Sequence, residues 1–177
     1  MSAVKSTITQ GLVLGESYGA MSKRLTSTFE GDAVKARRVV RTEAHRNAQA
    51  GSLAASEHAN DLGVEMELMW QSTIDDRTRG QHQLMDGKLA VNLSTRGSKG
   101  ERWLFTLPDG VTAPAPGMSG YAHHDINCRC AKRSFIKGFE PSVRRIRGEG
   151  VVPYKTYTEW AEEKGIPMKY KYPVTSE

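Results

Sequence analysis

From residue 3 to about residue 62, apolar positions recur at helical spacing and no proline occurs before Pro108. That pattern predicts an all-helical beginning. Gly11, Gly15 and Gly19 break up its first portion. Asp32 suits the N-cap of a longer helix over 33–61, because a short side-chain acceptor there satisfies a free N–H of the first turn. Val39, Val40, Ala44, Ala48, Leu53 and Ala55 are the positions of this helix expected to face a core. Gly51 weakens its middle by roughly 1 kcal/mol relative to alanine, and Gly63 suits its C-terminal turn.

The period changes after Gly63. Val64, Met66, Leu68 and Trp70 alternate with Glu65, Glu67 and Met69, the two-residue repeat of a half-buried strand. Ser72-Thr73 followed by Asp75-Asp76 predicts a short helix running to about Met85 and stopped by Asp86-Gly87. Residues 88–93, 102–107 and 126–136 read as strands, and 94–100 and the proline- and glycine-rich stretch 108–121 as loops. A last amphipathic segment spans 156–164, with Tyr154, Tyr157 and Trp160 as anchors to the body. The expected class is α+β, with N-terminal helices packed on a small, mostly antiparallel sheet carrying a short inserted helix. The expected division is a helical part over 1–62, an α+β core over 63–136 and a basic, aromatic-anchored tail over 137–177.

Composition narrows the class. The chain has 177 residues, enough for one domain with a sizeable core, and 38% hydrophobic and 25% charged residues are ordinary for a globular protein. No apolar stretch reaches bilayer length, so no membrane partner is expected. The N-terminus lacks the basic and apolar regions of a signal peptide, and the expectation is synthesis in a cytoplasm. The net charge of +5 is concentrated between Lys132 and Lys155, where seven basic residues face two acidic ones. Arg144, Arg145 and Arg147 are therefore the candidate contacts to double-stranded DNA, bound without sequence preference through counterion release.

The candidate chemistry is metal-ligand chemistry. Asn127-Cys128-Arg129-Cys130 holds both cysteines of the chain, and in a strand the two thiols share a face about 7 Å apart. A disulfide across one intervening residue is strained, whereas two thiolates on one face suit a soft metal such as zinc. Two ligands do not close a zinc site. His82, Asp75, Asp76 and the pair His123-His124 are the nearest candidates, with His82, Asp75 and Asp86 expected on one face of the inserted helix. On the long helix Arg37, Arg41 and His45 form one stripe, and Arg41-Thr42-Glu43 is placed to anchor the strand region through arginine–carboxylate pairs.

Taken in order, Arg41-Thr42-Glu43, Asn47, Trp70, Asp75-Asp76-Arg77-Thr78-Arg79, His82, Leu84-Met85-Asp86-Gly87, Pro116-Gly117 and Ile126-Asn127-Cys128-Arg129-Cys130 resemble the Mu F-like phage minor head protein family. The family is also called the phage head morphogenesis domain, and the resemblance covers about residues 37 to 133. It implies a virion component inside the phage head, in small copy number, associated with the portal and other head proteins. It marks Arg41, Glu43, Trp70 and Arg79 as structural motif positions. Where the family often has Pro-Gly-Asp this chain has Pro116-Gly117-Met118, so a ligand role for that aspartate is absent.

Two readings follow. In the first the protein is a non-catalytic minor capsid protein, and His82, Cys128, Cys130 and Asp75 form a clamp that can hold zinc. In the second it is a metal-dependent nuclease or toxin-like enzyme delivered with the phage genome, with His82, Asp75 or Glu43 as acid or base and the basic tail on nucleic acid.

Overall fold

A computed structural model describes residues 2–93 and 103–170. The predicted loop 94–100, the start of the strand expected over 102–107 and the end of the tail lie outside the described residues. Helix α1 (Ser2–Val13) turns at Gly15 into α2 (Tyr18–Leu25), whose N-cap Ser17 accepts a hydrogen bond from the Ala20 N–H. Gly11 does not interrupt α1. A Cβ there would stand 2.4 Å from Met21 Cγ, so the missing side chain lets α1 and α2 approach closely. Helix α3 (Ala33–Asp61) follows a short 3-10 turn and is capped by the Asp32 side chain, which accepts from the Lys35 N–H at 2.8 Å. Ile8, Met21 and Leu25 pack on Ala36, Val40 and Ala44 of α3 and close the first core.

The buried stripe of α3 changes character along its length. Val40, Ala44 and Leu53 face inward as expected, while Ala48 and Ala55 are exposed and Thr42, Gln49 and Ser56 are buried in their place. The reason lies in what the second half of the helix covers. It meets the strand over Ala131–Ile136, whose Lys132 N–H donates to Gln49 Oε1 at 2.8 Å and whose Lys132 ammonium donates to Ser56 Oγ at 2.9 Å and to the Ser52 carbonyl. A polar seam is the complement to a buried lysine.

Strand β1 (Met66–Gln71) pairs antiparallel with β5 (Ala131–Ile136), from Met66 opposite Ile136 to Gln71 opposite Ala131. On its other edge Trp70 N–H donates to the Lys88 carbonyl and Ala90 N–H to the Leu68 carbonyl, both at 2.8 Å. A second antiparallel sheet runs β2 (Val91–Asn92), β3 (Trp103–Thr106), β4 (Thr112–Ala113). Hairpin β6 (Val143–Ile146) and β7 (Gly150–Pro153) precedes helix α6 (Tyr157–Glu163), which opens with a reciprocal Thr156/Glu159 capping box. The class is α+β, as the pattern predicted, with the strands in separate small antiparallel pairings rather than one sheet.

Two elements are shorter than predicted. The inserted helix α4 spans only Gly80–Met85, because the Asp75 side chain folds the preceding stretch into a turn by accepting from the Arg77 N–H at 3.0 Å. The strand expected over 126–136 begins only at Ala131. Upstream, α5 (Ala122–Asp125) and Asn127, at φ 56°, bend the chain so that Cys128 and Cys130 enter the core just before the ladder. That core holds Leu53, Leu68, Trp70, Met85, Trp103, Phe105 and Leu107 around the two thiols.

Candidate metal centre

The ring of His82 stands on α4 with 1% of its surface exposed, and the indole of Trp70 meets it edge-on at 5.3 Å between centroids. Its Nδ1 faces both thiols, with Cys130 Sγ at 3.5 Å and Cys128 Sγ at 3.7 Å. Its Nε2 faces His124 Nδ1 at 3.2 Å, and His124 Nε2 in turn meets Asp109 Oδ2 at 2.8 Å. The proton positions follow from the far end of this chain. Ionised Asp109 can only accept, so His124 Nε2–H donates to it. Burial lowers the pKa of His124 and favours its neutral form, whose Nδ1 is then an acceptor for the His82 Nε2–H. His82 Nδ1 is the ring atom turned to the two sulfurs.

The two thiols are not equivalent. The close approach of the two thiols, more than burial, raises the pKa of Cys128, and the same neighbour holds Cys130 below the usual thiol range. Ser72 also reaches Cys130, with Sγ to Oγ at 3.7 Å, while its own hydroxyl donates to the His82 carbonyl at 2.5 Å.

Asp75 is not part of this cluster. It forms a two-pronged pair with Arg129, whose Nη2 donates to Oδ1 at 2.7 Å and whose Nη1 meets Oδ2, and that hydrogen bonding lowers the Asp75 pKa. Asp86, expected beside His82, instead faces Arg144. The common-face expectation fails because Asp75 precedes the helix and Asp86 follows it.

The other motif residues bind segments to one another. Arg79 donates to the carbonyls of His124, at 3.3 Å, and Ile126. Of Arg41-Thr42-Glu43, Arg41 is exposed, Thr42 Oγ1 accepts from the Asn127 N–H at 3.2 Å and Glu43 pairs with Arg46 at 2.8 Å. Arg41-Thr42-Glu43 is expected to anchor the strand region through arginine–carboxylate pairs; the long-range pair of this stretch is made instead by Arg46, which donates to the Gly117 carbonyl and pairs with Asp125 at 3.5 Å. Arg46 lies five residues beyond Arg41, about 140° further round α3, on the side that meets the loop. The sequence signal for Asp109 was weak, since it sits in a turn far from the cysteines and only the closed fold brings it to His124.

The basic segment is divided by the fold. Arg145 and Arg147 are exposed and line an open groove of about 660 Å³ with Arg129. Arg144 is withdrawn from any phosphate. Its side chain is 2% exposed and held to Asp86 at 2.5 Å, and it also donates to the Ser72 and Lys155 carbonyls. Lys132, counted with the same cluster, is likewise buried.

These features define a small α+β domain closed around a buried histidine–cysteine–cysteine cluster, with arginines bracing the loops that carry it. Residues 2–133 match the family model described as Phage Mu protein F like protein, and the chain belongs to that family. It is 38% identical over 165 residues to the minor head protein GP7 of Bacillus phage SPP1, a match covering 91% of this chain and 50% of that protein. It is 32% identical over 162 residues to the NAD(+)--arginine ADP-ribosyltransferase EFV of Enterococcus faecalis (strain ATCC 700802 / V583), covering 91% of this chain and 31% of that protein. The chain thus spans about half the length of the first relative and about a third of the second. No solved structure matches it.

Proposed function

We propose that this chain serves as a non-catalytic minor component of a phage head, carried inside the virion and made in the host cytoplasm. The observation that carries the reading is the use of the family's motif residues as internal braces. His82 and both cysteines are buried, while Arg79 and Arg129 each bridge separated segments. A head protein and an ADP-ribosyltransferase match nearly the same length of this chain, and each is far longer. A shared scaffold module accounts for both matches without assigning either relative's activity to these residues. No helix among the described residues is long and apolar enough to cross a membrane.

The finer partners are the portal, other head proteins and DNA. Support for the DNA contact is the exposed Arg145 and Arg147, which line one groove together with Arg129. The experiment is mass spectrometry of purified virions of a phage encoding this chain, beside incubation of the pure protein with DNA and RNA with and without divalent metal. The expected result is incorporation into heads and no cleavage. Metal-dependent cleavage, lost in a well-folded His82→Ala variant, would replace this reading with the nuclease.

A further inference from the structure

We propose that His82 Nδ1, Cys128 Sγ and Cys130 Sγ, completed by His45, bind a zinc-class divalent cation as a structural centre that ties α3 and α4 to the chain entering β5. The three groups lie within 4.8 Å of one another and all are buried. Zinc bonds of about 2.3 Å to sulfur and 2.0 Å to nitrogen, set tetrahedrally, place sulfur and nitrogen ligands roughly 3.5 Å apart. The observed separations are 3.5 and 3.7 Å. A thiol hydrogen-bonded to an imidazole needs one such contact, whereas here two sulfurs converge on one ring nitrogen.

What stands behind His82 is independent of that triangle. The His82–His124–Asp109 series fixes the ring with Nε2–H turned outward and Nδ1 inward, the arrangement by which a carboxylate orients a metal-bound histidine. His124 and Asp109 are therefore positioning residues. The outer trio of Asp109, His123 and His124 offers a second set of donors, but it contains no sulfur and is open to solvent.

The fourth ligand follows by elimination among the imidazoles. His123 and His124 are turned to Asp109, and His58 is exposed near the end of α3. His45 remains. It is half-buried, within range of Cys130 and of the Pro116 and Cys130 carbonyls, and its buried Nε2 has no hydrogen-bond partner. Gly117 stands between this ring and Cys128: a Cβ there would lie 3.2 Å from His45 Nε2 and 3.9 Å from Cys128 Cβ. The glycine leaves the space an imidazole crosses to reach the sulfurs.

The test uses the full chain, freed of metal by a chelator and titrated with Zn²⁺ or Co²⁺. About one Zn²⁺ should bind per chain and raise the melting temperature. Co²⁺ should give thiolate-to-cobalt charge transfer with the intense visible bands of a tetrahedral ion, which the sulfur-free outer trio cannot produce. Cys128→Ser/Cys130→Ser should abolish both. Asp109→Asn, a change at a partly exposed side chain, should weaken Zn²⁺ binding about 10- to 100-fold while leaving the cobalt spectrum tetrahedral. His45→Ala should weaken binding and change the visible bands. No Zn²⁺ bound by the folded parent chain, or cobalt bound without sulfur charge transfer, overturns the centre. Unchanged affinity and spectrum in His45→Ala overturns its place as fourth ligand, and unchanged affinity in Asp109→Asn overturns the positioning role of His124 and Asp109.

Discussion

Arg144 on β6 and Asp86 at the end of α4 meet at 2.5 Å with 2% and 0% of their side chains exposed. The same carboxylate accepts from the Ser72 and Tyr157 N–H groups, at 2.5 and 2.6 Å. One buried ion pair thus joins the end of β1, the Asp86-Gly87 turn, the β6–β7 hairpin and the start of α6. Tyr157 reinforces the junction, accepting from Gln83 at 3.0 Å and donating to the Asp75 carbonyl at 2.8 Å.

Removing one partner of a pair in this setting leaves a buried charge uncompensated. Arg144→Met is expected to cost about 3–5 kcal/mol, and Arg144→Met combined with Asp86→Asn less than the sum of the single changes. Urea unfolding of the three variants measures this. A loss below about 1 kcal/mol for Arg144→Met would place the pair in solvent.

Lys132 makes stability depend on alkaline pH. Burial lowers its pKa from 10.5 to about 8, so between those values the unfolded chain holds more protons than the folded one. Stability therefore rises with pH across that window. Lys132→Met should remove the rise. Melting temperatures at matched pH steps for parent and variant isolate it, and a rise that persists in the variant would assign it elsewhere.

The exposed arginines should govern DNA binding alone. Replacing Arg145 and Arg147 by glutamine is expected to lower the slope of log affinity against log salt by roughly 2, at about 0.9 per phosphate contact. Fluorescence anisotropy with duplex DNA over a salt series reads the slope. An unaltered slope would exclude the groove as the contact.

Two glycines are expected to respond in opposite directions. Gly117 holds φ 80°, and a Cβ there would meet His45 Cδ2 at 2.8 Å, so Gly117→Ala should destabilise by about 2 kcal/mol or more. Gly51, exposed in α3 with nothing within 4 Å, should gain roughly 0.5–1 kcal/mol as alanine. Thermal melts of both variants in one buffer test the contrast, and similar shifts for the two would refute it.

The sequence by itself determined the features that rest on local physics. Asp32 as cap, the helix over 33–61, the alternating strand through Trp70 and the aromatic-anchored segment at Tyr157 all depend on periodicity, capping and side-chain size within a few residues. The pairing of the two cysteines with His82 was also legible, because that residue chemistry has few other uses in one chain. What only the tertiary structure decided is where charge is spent. Arg144 and Lys132 look in sequence like any exposed basic residue, yet Asp86 and the serine seam of α3 draw them inside. Asp75, written beside His82, turns to Arg129 instead, while Asp109, distant in sequence, arrives behind His82 through His124. Spacing along a chain specifies which face a side chain takes on its own element. Its partner across the fold depends on how those elements pack, and no local pattern carries that information.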